Sequence, residues 1–102
     1  MVMEFEWDEA KNKRNIKKHG LDLADAQELF TGVMPFLVSL DTSKDYGEER
    51  WKGIGVLAAV VVVVVVFVER GENMIRIISL RKANSRERKL YEQEIKNRLG
   101  AG

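Results

Sequence analysis

Short apolar segments alternate along the chain with strongly charged ones, and their periods separate helices from strands. Glu4 to Trp7 reads as a brief opening strand. Asp8 then offers an N-cap, with Glu9 in the positive first turn, for a helix that runs to about His19 and stops at Gly20. Its clear apolar anchors are Ala10 and Ile16, set among Lys11, Lys13, Arg14, Lys17 and Lys18, so the pattern predicts an outer helix that presents cations. Asp22 caps a second, shorter helix to about Phe30, whose buried side is Leu23, Ala26, Leu29 and Phe30 and which Gly32 ends. Met34 to Leu40 is strand-like, but Pro35 confines it to a sheet edge or a strand start. Asp41 to Gly47 is a polar loop, and Glu48 to Ile54 reads as a half-exposed strand in which Arg50 and Lys52 flank Trp51.

Gly53 to Val68 is a stretch of sixteen uncharged residues that contains seven consecutive valines, Val60 to Val66. It falls short of the ~20 apolar residues of a membrane helix. β-Branching favours a strand, and a continuous apolar run predicts a central one buried on both faces. The run carries little register information, because a two-residue slip changes few side chains. A turn around Gly71 leads to a further strand, Met74 to Arg81. Regular alternation there puts Arg76 with Met74, Ile78 and Leu80, and puts Ser79 and Arg81 with Ile75 and Ile77. The last element is a helix with Asn84 and Glu87 at capping-box spacing and an inward stripe of Tyr91, Ile95 and Leu99. The order β-α-α-β-β-β-β-α, with short connections between strands, predicts an α+β domain over residues 1–102. Its sheet would be mostly antiparallel, with four to five strands.

Composition narrows the chemistry. The 102 residues include no cysteine, which excludes disulfide scaffolds, thiolate metal sites and a thiol nucleophile. A single histidine cannot build a His-cluster metal site, and no GxSxG elbow is present. Met1 to Trp7 leads straight into charged residues, without a signal-peptide pattern. Net charge is +1, but residues 69–102 hold nine basic and five acidic side chains, against eight and eleven before them. Lys11 to Lys18 adds five positive charges and no negative one, so two basic patches point to a local anionic partner or to solvated helix faces.

Three groups of residues could carry chemistry. His19, at a helix end beside Lys17 and Lys18, is either a structural imidazole or a general acid or base working near neutrality. Of Glu48 and Glu49, which point to opposite faces of a strand, one could act as a base while Arg50 holds a phosphate; an ordinary cross-strand ion pair is the alternative. Arg76, Ser79, Arg81, Lys82, Arg86 and Tyr91 run from a strand end into a helix start, a place suited to an anion or to salt-bridged scaffolding.

These pieces, in order, resemble one known family. Phe5-Glu6-Trp7-Asp8, Lys18-His19-Gly20, Gly47-Glu48-Glu49-Arg50, Glu69-Arg70-Gly71, Arg76 to Ser79, Arg81-Lys82-Ala83 and Arg86-Glu87 are similar to the BrnT ribonuclease toxins of bacterial type II toxin–antitoxin modules. The resemblance covers Phe5 to about Tyr91. It departs in the hairpin before the valine run, where Gly55 to Val60 stands in place of a polar or glycine-bearing turn. It implies a RelE-like fold and a cytoplasmic endoribonuclease that inhibits translation. It also implies a hetero-oligomer with a ribbon-helix-helix antitoxin that binds operator DNA and represses its own operon.

Metal-independent RNA cleavage by 2′-OH attack needs a base, an acid and cations, and no cofactor. His19 and Glu49 would transfer protons. Lys18, Arg50, Arg76 and Arg81 would hold and neutralise phosphate, converging in one open hollow near the imidazole. Ser79, Lys82, Arg86 and Tyr91 would contact the RNA. A non-catalytic nucleic-acid-binding module, a RelE-fold toxin acting on gyrase and a purely structural partner are the rival readings.

Overall fold

The valine run becomes the middle of a sheet. The computed structural model describes residues 2–100, so residues 1 and 101–102 of the expected 1–102 domain lie outside it. In chain order the elements are β1 (Glu4–Glu6), α1 (Glu9–His19), a 3₁₀ helix (Leu23–Phe30), β2 (Leu37–Leu40), β3 (Trp51–Leu57), β4 (Val61–Arg70), β5 (Met74–Lys82) and α2 (Ser85–Gly100). The sheet has five strands in the order β1-β5-β4-β3-β2. β2 to β5 form an antiparallel meander, and β1 lies parallel to β5. The expected α+β architecture is therefore present, with one parallel pair that makes the sheet mixed.

The sixteen-residue apolar stretch is a hairpin rather than one strand. β3 ends at Leu57, and the chain turns through Ala58 and Ala59, both at positive φ (52° and 58°). Val60 N–H donates to the Leu57 carbonyl at 3.0 Å, so the turn takes two left-handed residues, and Val60 lies outside β4. Glu48 to Arg50 precede β3 in the loop, and β2 begins only at Leu37, two residues after Pro35. Register is set by shape where the valines cannot set it. A Cβ at Gly53 would lie 2.3 Å from the Phe36 ring, and one at Gly55 would lie 2.8 Å from Leu29. Both glycines admit a bulky neighbour onto β3 at one place only.

One sheet face is covered by the 3₁₀ helix. Leu23, Ala26 and Leu29 are spaced by three, which in a 3.0-residue helix aligns them in a straight stripe. That stripe packs on Leu57, Val63, Val65, Phe67, Ile75, Ile77 and Leu80 to form the core, rimmed by Phe5, Phe30, Phe36 and Trp51. Val64 and Val68 are buried on the opposite face, which explains the unbroken apolar run in β4.

α1 docks differently from its sequence pattern. Ala10 is exposed and Ile16 is 43% exposed; the residues it buries are Asn12 and Asn15, at 5% and 8%. Asn15 Nδ2 donates to the Leu80 carbonyl (2.8 Å) and its Oδ1 accepts from Leu80 N–H (3.2 Å), as a neighbouring strand would beyond the end of β1. Its second Nδ2 hydrogen goes to the Leu21 carbonyl at 2.8 Å. Asn12 bridges Asp22 and the Leu23 N–H. The helix is thus held by satisfied amide hydrogen bonds, which apolar periodicity does not register. α2 also departs from expectation: Tyr91 is buried and Ile95 half-buried, but Leu99 is 83% exposed, because the helix packs only its first turns against the sheet. No helix among the described residues is long and apolar enough to cross a membrane.

Candidate functional site

In a regular strand Arg76 and Arg81, five apart, would project to opposite faces. They do not, because β5 carries a bulge. Val66 faces Ser79 while Phe67 faces Ile77, which leaves Ile78 as the extra residue. Alternation restarts after it. Ile75, Ile77 and Leu80 all point into the core, and Arg76, Ser79 and Arg81 all share the opposite face. The expected grouping of Arg76 with Leu80, and of Arg81 with Ile75 and Ile77, is corrected by this one residue. Across the sheet the same face carries Glu6 beside Arg76, Lys52 beside Val66 and Ile54 beside Val64.

The charged side chains fall into two groups on this face. At the upper end, Arg81 makes a fork with Glu87, Nη1 to Oε1 at 2.7 Å and Nη2 to Oε2 at 2.8 Å. Lys52 Nζ is 3.5 Å from the same carboxylate. Glu87 is also half of the expected capping box: its Oε1 accepts from Asn84 N–H at 2.9 Å while Asn84 Oδ1 accepts from Glu87 N–H at 2.8 Å. The Arg81 hydrogen bonds hold the Glu87 carboxyl down at about 2, and Glu87 in turn raises the Arg81 guanidinium. His19 closes α1 next to this group. Burial, then the positive charges of Lys18 and Arg81, push its imidazole below the ordinary value, so it is neutral at pH 7.

At the lower end, Arg76 pairs with Glu6. Arg50 immediately precedes Trp51, which faces Phe67, and the next residue of β4, Val68, faces Arg76. The Arg50 guanidinium lies over the Tyr46 ring, 4.0 Å from the centroid. Glu48 stands 3.5 Å from Arg50 and 3.3 Å from Arg70. Arg81 faces Val64 and Arg76 faces Val68, which separates the groups by four residues, roughly 13 Å along β4.

The ten expected site residues are therefore distributed unevenly. Arg50, Arg76, Ser79 and Arg81 share the face, yet the three arginines do not converge on a single hollow, and each has a carboxylate beside it. His19 lies within reach of the Arg81 charge, and Lys18, exposed, precedes it in α1. Glu49 is exposed in the loop before β3, and its neighbour Glu48 is the carboxylate in the ion pairs. Lys82 and Arg86 are exposed. Tyr91 is buried, and its hydroxyl donates to the Pro35 carbonyl at 2.6 Å, which makes it a tie between α2 and the chain before β2. Sequence reasoning missed Lys52, Glu87, Arg70 and Tyr46 as members of this face. Glu87 had the capping-box spacing, Arg70 the Glu69-Arg70-Gly71 piece of the resemblance and Lys52 its place beside Trp51 in a half-exposed strand, whereas Tyr46 had no signal. Among the described residues no cluster of three or more His, Cys, Asp or Glu could hold a metal ion.

A small α+β protein with a mixed five-stranded sheet and an arginine-bearing open face is the class that fold and site define. Residues 7–87 match the family described as the ribonuclease toxin, BrnT, of type II toxin–antitoxin system, and the chain belongs to that family. It is also similar to a solved structure, the 1.1 Å crystal structure of the Brucella abortus ribonuclease toxin, BrnT. The TM-score is 0.63 and the identity 30%, over 82% of this chain and 100% of that one. No curated protein matches the chain.

Proposed function

We propose that the chain acts as one toxin domain that cleaves RNA without metal, by attack of a 2′-OH on the adjacent phosphorus. The observation that carries the reading is the placement of His19 at the end of α1, half-buried and close enough to Arg81 for its charge to favour the neutral imidazole. A neutral imidazole accepts the 2′-OH proton, the O2′–P bond forms and the P–O5′ bond breaks. Arg81 and Lys18 face the charge that grows on the phosphoryl oxygens. Glu87 orients Arg81 through the fork and leaves its Nε–H for the phosphate. Glu49, the carboxyl expected to share proton transfer, precedes Arg50 and belongs to the far end of the face, so the leaving 5′-oxygen takes its proton from solvent. Arg76, Arg50, Ser79, Lys82 and Arg86 hold the strand that continues from the cut.

The same cations explain how the toxin is silenced. A ribbon-helix-helix antitoxin segment that covers this face would block RNA, and the complex would repress its own operon through the antitoxin's DNA-binding part. Labelled RNA incubated with the purified protein in EDTA tests the chemistry. Fragments ending in a 2′,3′-cyclic phosphate are expected, and they should disappear in His19→Ala while its circular dichroism spectrum is unchanged. RNA bound but left intact by the wild type would favour the non-catalytic module, and cleavage that survives His19→Ala would remove the imidazole from the mechanism.

A further inference from the structure

The lower group contains more positive charge than the cleavage step uses. Arg50 and Arg70 share one carboxylate, Glu48, at 3.5 and 3.3 Å, so the trio retains a positive charge. Arg50 Nε is buried beside Glu48 Oε1, at 3.5 Å, without a hydrogen bond to it. The guanidinium is already oriented by stacking on Tyr46, whose hydroxyl lies 3.1 Å from Ser43 Oγ and 3.4 Å from Asp41 Oδ2. The loop is closed at its base by Asp41 N–H donating to the Arg50 carbonyl at 2.7 Å. Little side-chain freedom is left to lose on binding.

We infer that Arg50 and Arg70, oriented by Tyr46 and Glu48, form a second backbone-phosphate subsite for the RNA strand, beyond reach of the phosphate at His19 and Arg81. The inference rests on the RNA reading above and extends it. Roughly 13 Å along β4 separates Arg76, beside this subsite, from Arg81, more than one phosphate can bridge. The subsite therefore acts only on RNA long enough to lie along the face. It contributes affinity and register, not sequence choice.

The test measures binding of uncleavable 2′-O-methyl oligoribonucleotides, an octamer and a dinucleotide, against salt concentration. Arg70 is half-exposed and its ion pair is at the surface, so Arg70→Ala should fold normally. It should weaken the octamer roughly three- to tenfold at low salt and reduce the log–log salt slope by about 0.7, the loss of one phosphate contact on a single strand. Glu48→Gln should tighten the octamer. Neither variant should alter the dinucleotide. An unchanged slope in Arg70→Ala overturns the subsite, whatever that variant does to antitoxin affinity, and so does an equal loss on the dinucleotide. If the wild type binds no RNA, the underlying reading fails as well, an outcome distinct from the other two.

Discussion

Replacing Glu87 by Gln removes one charge and one of the two acceptor oxygens that the Arg81 fork uses. The amide can still accept from Asn84 N–H, so the helix cap survives, while the Arg81 fork and the Lys52 contact lose their anion. The native carboxyl titrates at about 2, against 4.5 when unperturbed. A folded-state pKa below the unfolded one stabilises the protein above pH 4.5, and that stability is lost as pH falls toward 2. The linkage amounts to about 3 kcal/mol at pH 7 and about 1 kcal/mol at pH 3. Urea unfolding of wild type and Glu87→Gln at both pH values reads it directly. The variant should be less stable by up to ~3 kcal/mol at neutral pH, and the gap should close by about two-thirds in acid. A gap that is the same at pH 7 and pH 3, or absent at pH 7, would refute the claim that this ion pair fastens α2 to β5.

Three other outcomes follow from the geometry. Asn15→Ala orphans the Leu80 N–H and carbonyl at the open edge of β5 and should cost about 2–4 kcal/mol by urea or thermal unfolding. Ala58→Asn with Ala59→Gly places residues suited to positive φ in the β3–β4 turn and should stabilise by about 1–2 kcal/mol, read as a higher midpoint. If neutral His19 is the base, kcat/KM should fall in acid with a midpoint below the ordinary imidazole value of 6.5. Removing the Lys18 charge favours the imidazolium, so Lys18→Ala should move that decline to higher pH; no movement would detach the profile from His19.

Features set by neighbours in sequence were readable in advance. Asp8 and Gly20 bound α1, and Asn84 with Glu87 starts α2, because caps are local hydrogen bonds between residues a few positions apart. The buried side of the 3₁₀ helix was equally plain in Leu23, Ala26 and Leu29. Helix α1 was misread because Asn12 and Asn15 are polar residues that become buried by finding partners on Asp22, Leu23 and Leu80. Partners up to 65 residues away leave no periodic trace. The charged face was hidden for the same reason. Arg76 meets Glu6 from the other end of the chain, and Tyr91, expected both on the inward stripe and in contact with RNA, is buried with its hydroxyl on Pro35.

Ile78 carries no charge, yet the placement of Arg81 depends on its bulge. Straightening the bulge with Ile78 retained would rotate the rest of β5 by half a pleat, sending Arg81 toward the core and Leu80 to the other face, whereas deleting Ile78 would leave Ile77, Ser79, Leu80 and Arg81 in regular alternation on their present faces. When relatives are compared, the spacing between the two arginines therefore has to be judged together with the bulge, because five positions with it and four without it both keep the arginines on one face.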